Sequence, residues 1–151
     1  EALNVLRLEK GLITHAEIHG RTTAFDIGMG RMVSAKKDCI GKTMSERPGL
    51  TDPARERLVG LKPAGNIQQI TAGAHLFAPG DEVTRENDQG YVTSACYSPT
   101  LGHTLGLAFL KNGPERIGEM VKMVDHMRGV ETICEVIDPV VFDPEGGRLR
   151  G

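Results

Sequence analysis

Two histidines four residues apart enclose an acid in His15-Ala16-Glu17-Ile18-His19. On a helix that spacing puts both rings on one face, where they could hold zinc. The zinc-protease pattern needs the acid directly after the first histidine, and Glu17 stands one place late. His15-Ala16-Glu17 also matches the start of the zinc deaminase signature, but that metal site is completed by a Pro-Cys-x-x-Cys pair. Here Cys39, Cys96 and Cys134 stand isolated. The expectation is therefore no metal, with both histidines exposed on a loop or an edge strand. Gly28-Met29-Gly30 could open a phosphate-binding loop, yet Val33 fills the place of the third glycine and no strand-turn-helix context surrounds it. Backbone turns are the expectation for these glycines. Ser94 and Ser98 lack the flanking glycines of a nucleophile elbow. Cys96 and His103 could form a thiol–imidazole pair, but no third group would orient it, and a cysteine inside an alternating strand belongs to a core. Arg7, Glu9 and Lys10 remain, as charges on an apolar-faced helix. They read as a solvated face or a structural ion pair. No catalytic residue is assigned.

These groups need a scaffold, and the bulk composition limits which one. The chain has 151 residues, enough for one domain or for a domain with part of its neighbour. It contains no Trp, two Tyr and four Phe, so the core must come from Val, Ile, Leu and Met. Its 19 glycines call for many turns between short strands. A net charge of -2 argues against nucleic acid as a partner. No apolar run approaches the length that crosses a bilayer, and nothing resembles a signal peptide. Three isolated cysteines fit reduced thiols, and the expected location is cytoplasmic. The chain starts at Glu1 inside a patterned segment, as expected for a piece of a longer polypeptide.

Ala2–Leu12 reads as a helix with Leu3 and Leu6 on its apolar side, stopped by Gly11. Met32-Val33 reads as extended. Asp38 reads as the cap of a short helix over Cys39–Arg47 that ends at Pro48-Gly49, and Pro53 as a first helical position or a turn. Strands are expected over Leu58–Leu61, Ala74–Phe77, Glu82–Arg85, Tyr91–Tyr97, Thr104–Leu110, Glu119–Met127 and Val130–Ile137. Helix competes over Glu119–Met127. Lys62–Thr71 reads as a loop carrying Pro63, Gly65 and Asn66, and the tail from Asp143 as loose. In the Tyr91–Tyr97 strand, Tyr91, Thr93, Ala95 and Tyr97 alternate against Val92, Ser94 and Cys96. The expected fold class is mainly β, with a small α/β N-terminal segment and a six- or seven-stranded C-terminal barrel. The boundary falls between residues 1–54 and 55–151.

Several stretches, taken in order, resemble the folate-binding family that includes the aminomethyltransferase (T-protein) of the glycine cleavage system. ALNVLRLEKG is similar to that family's Leu-Arg-Leu-Glu-x-Gly helix. Phe25–Gly30 with Met32-Val33 resembles its Gly-Leu-Gly-Trp stretch, and Lys37–Lys42 its Lys-x-Asp-Phe-Ile-Gly. Gly90–Ser94 and Ser98–Gly102 match its Gly-x-Val-Thr-Ser and Ser-Pro-Thr-Leu signatures. EALNVLRLEKG, SPTLG and DPVVFDPEG most resemble the branch of alpha subunits from multi-subunit sarcosine oxidases. That resemblance implies a parent that oxidises sarcosine at a flavin in another subunit. The region containing this chain then joins the one-carbon unit to tetrahydrofolate. It implies flavin and NAD elsewhere in the parent, other oxidase subunits as partners, and residues 1–54 as the end of the folate domain. Arg7, Glu9, Ser98 and Thr100 are the implied folate contacts. The family's Trp is Arg31 here, and its Arg-Asp pair is Leu3-Asn4. Its acidic residue near the folate amine lies upstream of the matched part. The chain alone is therefore expected to turn nothing over, and to self-associate through surface its missing half would cover. Alternatives are the tail of a glycine-cleavage or dimethylglycine-type enzyme, or a non-catalytic barrel used for subunit packing.

Overall fold

Alternating apolar segments cut by Gly and Pro fold into six antiparallel strands in a computed structural model that describes residues 1–65 and 69–151. The strands are β1 (Glu56–Pro63), β2 (His75–Phe77), β3 (Gly90–Ser98), β4 (His103–Lys111), β5 (Met120–Asp125) and β6 (Val130–Ile137). They close into a barrel in the order β1-β4-β3-β2-β5-β6, so no sheet edge stays open. Val59, Leu61, Val92, Ala108, Leu110, Val121, Met123, Cys134 and Val136 fill its interior. The alternation expected for β6 holds, with Thr132, Cys134 and Val136 buried. Residues 120–125 are strand despite their helical propensity, because closure needs β5 to pair with both β2 and β6. The polar strand expected over Glu82–Arg85 is not formed. Those residues make a connection, because the Pro79-Gly80 turn and the Asn87–Gly90 turn leave them no partner. Asn66, in the expected loop, lies outside the described residues.

β4 is buried on both faces, as its apolar run requires. Ala108 and Leu110 point inward, while Leu107 and Phe109 meet the N-terminal segment outside. That segment begins with helix α1 (Ala2–Glu9), which ends earlier than expected, with Gly11 at φ +66°. Its packed side is Leu8 and Glu9, against Leu58, Leu107 and Phe109. Leu3 and Leu6, expected to be its packing side, are 79% and 61% exposed. Burying Leu8 contributes about 1.5–3 kcal/mol. Beyond α1 the segment is mostly turns. Of the expected extended pair Met32-Val33, Met32 ends a 3-10 turn over Gly30–Met32 while Val33 is extended. α2 (Lys42–Ser45) starts later than expected because its cap, Gly41, is left-handed at φ +90°. α3 (Pro48–Thr51) places Pro48 in the first turn instead of using it as a stop.

The tail is held rather than loose. Val141 and Phe142 N–H groups donate to the Glu9 carbonyl, and Lys10 pairs with Asp143 at 3.2 Å. A final turn, α4 (Gly147–Arg150), lets Arg148 lie over the Phe142 ring.

The tightest approach of a barrel glycine to a paired strand is at Gly90. Gly90 sits at φ +154°, and a Cβ there would drive into the Phe109 carbonyl oxygen on the paired strand. Gly90→Ala is expected to cost about 3 kcal/mol or more. Urea unfolding should show a lower midpoint at unchanged slope.

Candidate functional site

Glu17 is fully buried, and a carboxylate taken out of water needs donors on every side. The first come from its own turn. The Thr14 N–H donates to Oε2 at 2.8 Å and the Thr14 hydroxyl at 3.2 Å. This is the Thr-x-x-Glu arrangement that closes helix starts, used here to close a turn. The rest come from the barrel wall. Between Val92 and Ser94 the β3–β4 register slips by one residue, a β-bulge at Thr93. Adjacent strand residues ordinarily point to opposite faces. The bulge cancels that, and the Thr93 and Ser94 hydroxyls both reach Oε1, at 2.7 and 2.6 Å. It also reverses the expected alternation downstream, so that Ala95 joins Val92 at the core while Cys96 faces α1.

Arg7 completes this cluster. Its guanidinium donates to Asn4 at 2.8 Å, to the Leu12 carbonyl at 3.3 Å and to Ser94 Oγ at 2.9 Å, and lies 3.6 Å from Glu17. Burial works to raise the Glu17 carboxyl. The donors from Ser94, Thr14 and Thr93, with the charge of Arg7, outweigh it and hold the group below its usual range.

A second acid repeats the device. Thr23 and Asp26 exchange backbone and side-chain hydrogen bonds at 2.9 and 3.3 Å. Arg55 clamps both Asp26 oxygens, at 3.0 and 2.7 Å. Burial opposes ionisation here too, and the Arg55 and Thr23 donors keep the Asp26 carboxyl low. The Asp26 carbonyl accepts from Leu58 N–H, which fastens the N-terminal segment to β1. Near the end of β3, Ser98 donates to buried Glu9 at 2.6 Å and accepts the Leu101 N–H at 3.0 Å.

The implied folate contacts thus divide. Glu9 and Ser98 are joined, and both are buried. Arg7 belongs to the neighbouring Glu17–Ser94 cluster. Thr100 sits exposed on the β3–β4 turn that Ser98 closes by accepting the Leu101 N–H. His15 and His19 are exposed at a turn rather than on a helix, so their spacing gathers no common face. His19 Nε2 instead meets the Tyr91 hydroxyl at 3.2 Å. Cys96 and His103 form no pair. His103 Nδ1 donates to the Thr104 carbonyl, and burial together with the Glu9 charge pushes the Cys96 thiol up, away from reactivity. All three cysteines are free. Glu17 and Asp26 were not singled out as buried acids by sequence reasoning. The two Thr-x-x-acid spacings were the available signal.

Two cavities open on this scaffold. One, of about 320 Å³, is lined by His19, Arg21, Glu56, Tyr91, Phe109 and Lys111 among others. The other, of about 570 Å³, lies by Tyr97, His103, Val130 and Thr132 at the β3–β4 and β5–β6 turns. Among the described residues, no helix is long and apolar enough to cross a membrane.

A closed six-stranded barrel defines the class, with an N-terminal segment fastened to its outer wall by the bonds of buried Glu17 to Thr93 and Ser94 and of the Asp26 carbonyl to Leu58. The family described as the glycine cleavage T-protein C-terminal barrel domain matches residues 56–143, and the chain belongs to that family. It is 47% identical over 151 residues to the sarcosine oxidase subunit alpha of Rhizobium meliloti (strain 1021), covering 99% of this chain and 15% of that protein. The corresponding subunit of Corynebacterium sp. (strain P-1) is 40% identical, over 100% of this chain and 16% of that one. The aminomethyltransferase of Thermosipho melanesiensis is 32% identical over 125 residues, 81% of this chain and 31% of its own length. The crystal structure of glycine cleavage system aminomethyltransferase T from Bartonella henselae superposes with a TM-score of 0.75 at 26% identity, covering 95% of this chain and 38% of that one. The chain therefore spans about 15% of the length of the sarcosine oxidase subunit it matches at 47% identity.

The buried acids fix an acid limb of stability. Glu17 titrates lower in the folded than in the unfolded chain, so its contribution is present above the ordinary value of 4.5 and fades as pH falls through the lower folded value. Glu17→Gln should flatten that limb in stability measured against pH. Glu17→Ala should cost about 3 kcal/mol at neutral pH by stranding Arg7, Thr93 and Ser94. A neutral-pH loss below about 1 kcal/mol would contradict a fully engaged buried carboxylate.

Proposed function

We propose that this chain is the C-terminal part of a sarcosine oxidase alpha subunit whose parent oxidatively demethylates sarcosine and passes the one-carbon unit to tetrahydrofolate. The observation that carries this reading is the 47% identity to such a subunit across 99% of the chain. In this reading residues 1–54 close the folate domain and residues 55–151 form the barrel domain. The family match beginning at residue 56 supports that boundary. The exposed Leu3, Leu6, Met32 and Ile40 suit a face that the rest of the parent covers. The other oxidase subunits would be partners, flavin and NAD would bind elsewhere in the parent, and the location would be the cytoplasm.

Tetrahydrofolate supplies the amine that accepts the one-carbon unit, and this chain's donors fit its carboxylate-bearing end. Arg7 is partly exposed. Three of its N–H groups serve Asn4, Leu12 and Ser94, leaving others to meet a ligand carboxylate. Thr100 offers an exposed hydroxyl on the adjoining turn. Glu9 and Ser98 act by holding α1 against that turn. Glu17 keeps the guanidinium in place through Ser94 and by its charge.

The test uses the full-length parent enzyme with sarcosine and tetrahydrofolate, assayed for 5,10-methylenetetrahydrofolate. Arg7→Lys should weaken tetrahydrofolate binding about tenfold while sarcosine oxidation is retained. Unchanged folate affinity removes Arg7 from the site. Failure to oxidise sarcosine, or formaldehyde release indifferent to folate, overturns the reading as a whole.

A further inference from the structure

The cavity of about 320 Å³ beside β1 and β3 lies apart from the residues assigned to folate, and it holds two unpartnered charges of opposite sign. Glu56, the first residue of β1, is half-buried. Burial pushes its carboxyl up, and only the charges of Lys111, Asp88, Arg21 and Arg55 modulate it, with no hydrogen bond to it. Across the cavity, Arg21 uses its backbone N–H on His19 and its carbonyl on Arg55. Its guanidinium has no hydrogen-bond or ion-pair partner among the described residues. Both line the cavity together with Tyr91, and among the described residues they do not close into an ion pair. Of the other charged groups of the wall, Arg55 and Asp26 neutralise each other, and Lys111 is the cation that acts most strongly on Glu56 while its ammonium is anchored on the Asp88 carbonyl.

Between the two open charges lie a hydroxyl and an apolar wall. His19 Nδ1 accepts the Arg21 N–H, so in the neutral ring the proton sits on Nε2 and donates to the Tyr91 oxygen. The Tyr91 O–H is then left to donate into the cavity. Tyr91 and Phe109 pack ring to ring at 5.9 Å and form the apolar side. We propose that this cavity binds a small zwitterion, an α-amino acid with an uncharged apolar side chain. Its carboxylate meets Arg21 and the Tyr91 hydroxyl, its ammonium meets Glu56, and its side chain lies against Tyr91 and Phe109. A simple anion leaves Glu56 unpaired and repelling it. A simple amine leaves Arg21 doing the same. A zwitterion answers both.

The experiment titrates leucine into the 151-residue chain and follows the Tyr91 and Phe109 ring resonances by NMR. N-acetyl-leucine, which lacks the ammonium, and leucinamide, which lacks the carboxylate, serve as controls. Leucine should shift these resonances saturably, in the millimolar range set by so few ligand atoms. Each control should bind about tenfold more weakly or worse, as should leucine with Glu56→Gln or Arg21→Ala. Neither side chain is hydrogen-bonded in the buried acid clusters, Arg21 touching one only through its backbone carbonyl, and an unchanged one-dimensional spectrum verifies the fold of each variant. No saturable shift up to about 20 mM overturns the proposal, as do equal binding of the controls or wild-type affinity in both folded variants. Because the assay contains neither folate nor sarcosine, its failure leaves the sarcosine oxidase reading standing, and failure of that reading leaves this site standing.

Discussion

A carboxylate with no access to water must be surrounded by donors, and Glu17 imposes that requirement on the whole N-terminal half. The turn at Thr14 supplies one side. The barrel supplies the other only because β3 bulges at Thr93 and turns two consecutive hydroxyls outward. Arg7 then has to stand where α1 puts it, which sets the helix across β3 and β4 with Leu8 beneath and Leu3 and Leu6 outside. Asp26 and Arg55 repeat the logic one turn further along and tie the segment to β1. A segment with little regular structure is thus held by two ion-pair knots. Removing one partner of such a knot costs more than the pair contributes, because a buried charge is left behind.

This architecture gives the molecule an outer surface built on groups that are already bonded in place. The barrel is rigid and closed, and it offers its neighbours a face rather than an edge. The charged groups near α1 are held by bonds to the barrel rather than left to solvent, which is the condition for a binding surface that does not reorganise on contact. Membership of the T-protein C-terminal barrel family is consistent with that role. The structural likeness to an aminomethyltransferase extends across 95% of the chain.

Much of the barrel was legible from period-two patterning. β6 keeps strict alternation and β4 is apolar on both sides, and both folded as read. Misreadings arose where one residue changed the geometry. The bulge at Thr93 cannot be seen in a run that alternates cleanly on paper. The Glu82–Arg85 segment has strand composition but no partner. Gly41 and Pro48 moved helix starts because a left-handed glycine and a first-turn proline set boundaries more firmly than the side chains between them. Glu9 and Ser98 could be named from a resemblance, but their bond joins residues far apart in the chain. Glu17 lies between two histidines, and their metal-like spacing overlaps the Thr-x-x-Glu turn that explains it.

The cysteines make the layering of the molecule accessible to chemistry. Cys39 is exposed. Cys96 lies beneath α1 beside Leu8, and Cys134 is inside the barrel, its thiol pushed up to about 12 by burial. A thiol reagent therefore meets three nested shells in one polypeptide. It finds the first without waiting, the half-buried second more slowly, and the third only when the barrel comes apart. The order and spacing of those reactions would trace how the molecule opens, layer by layer, with no foreign label added.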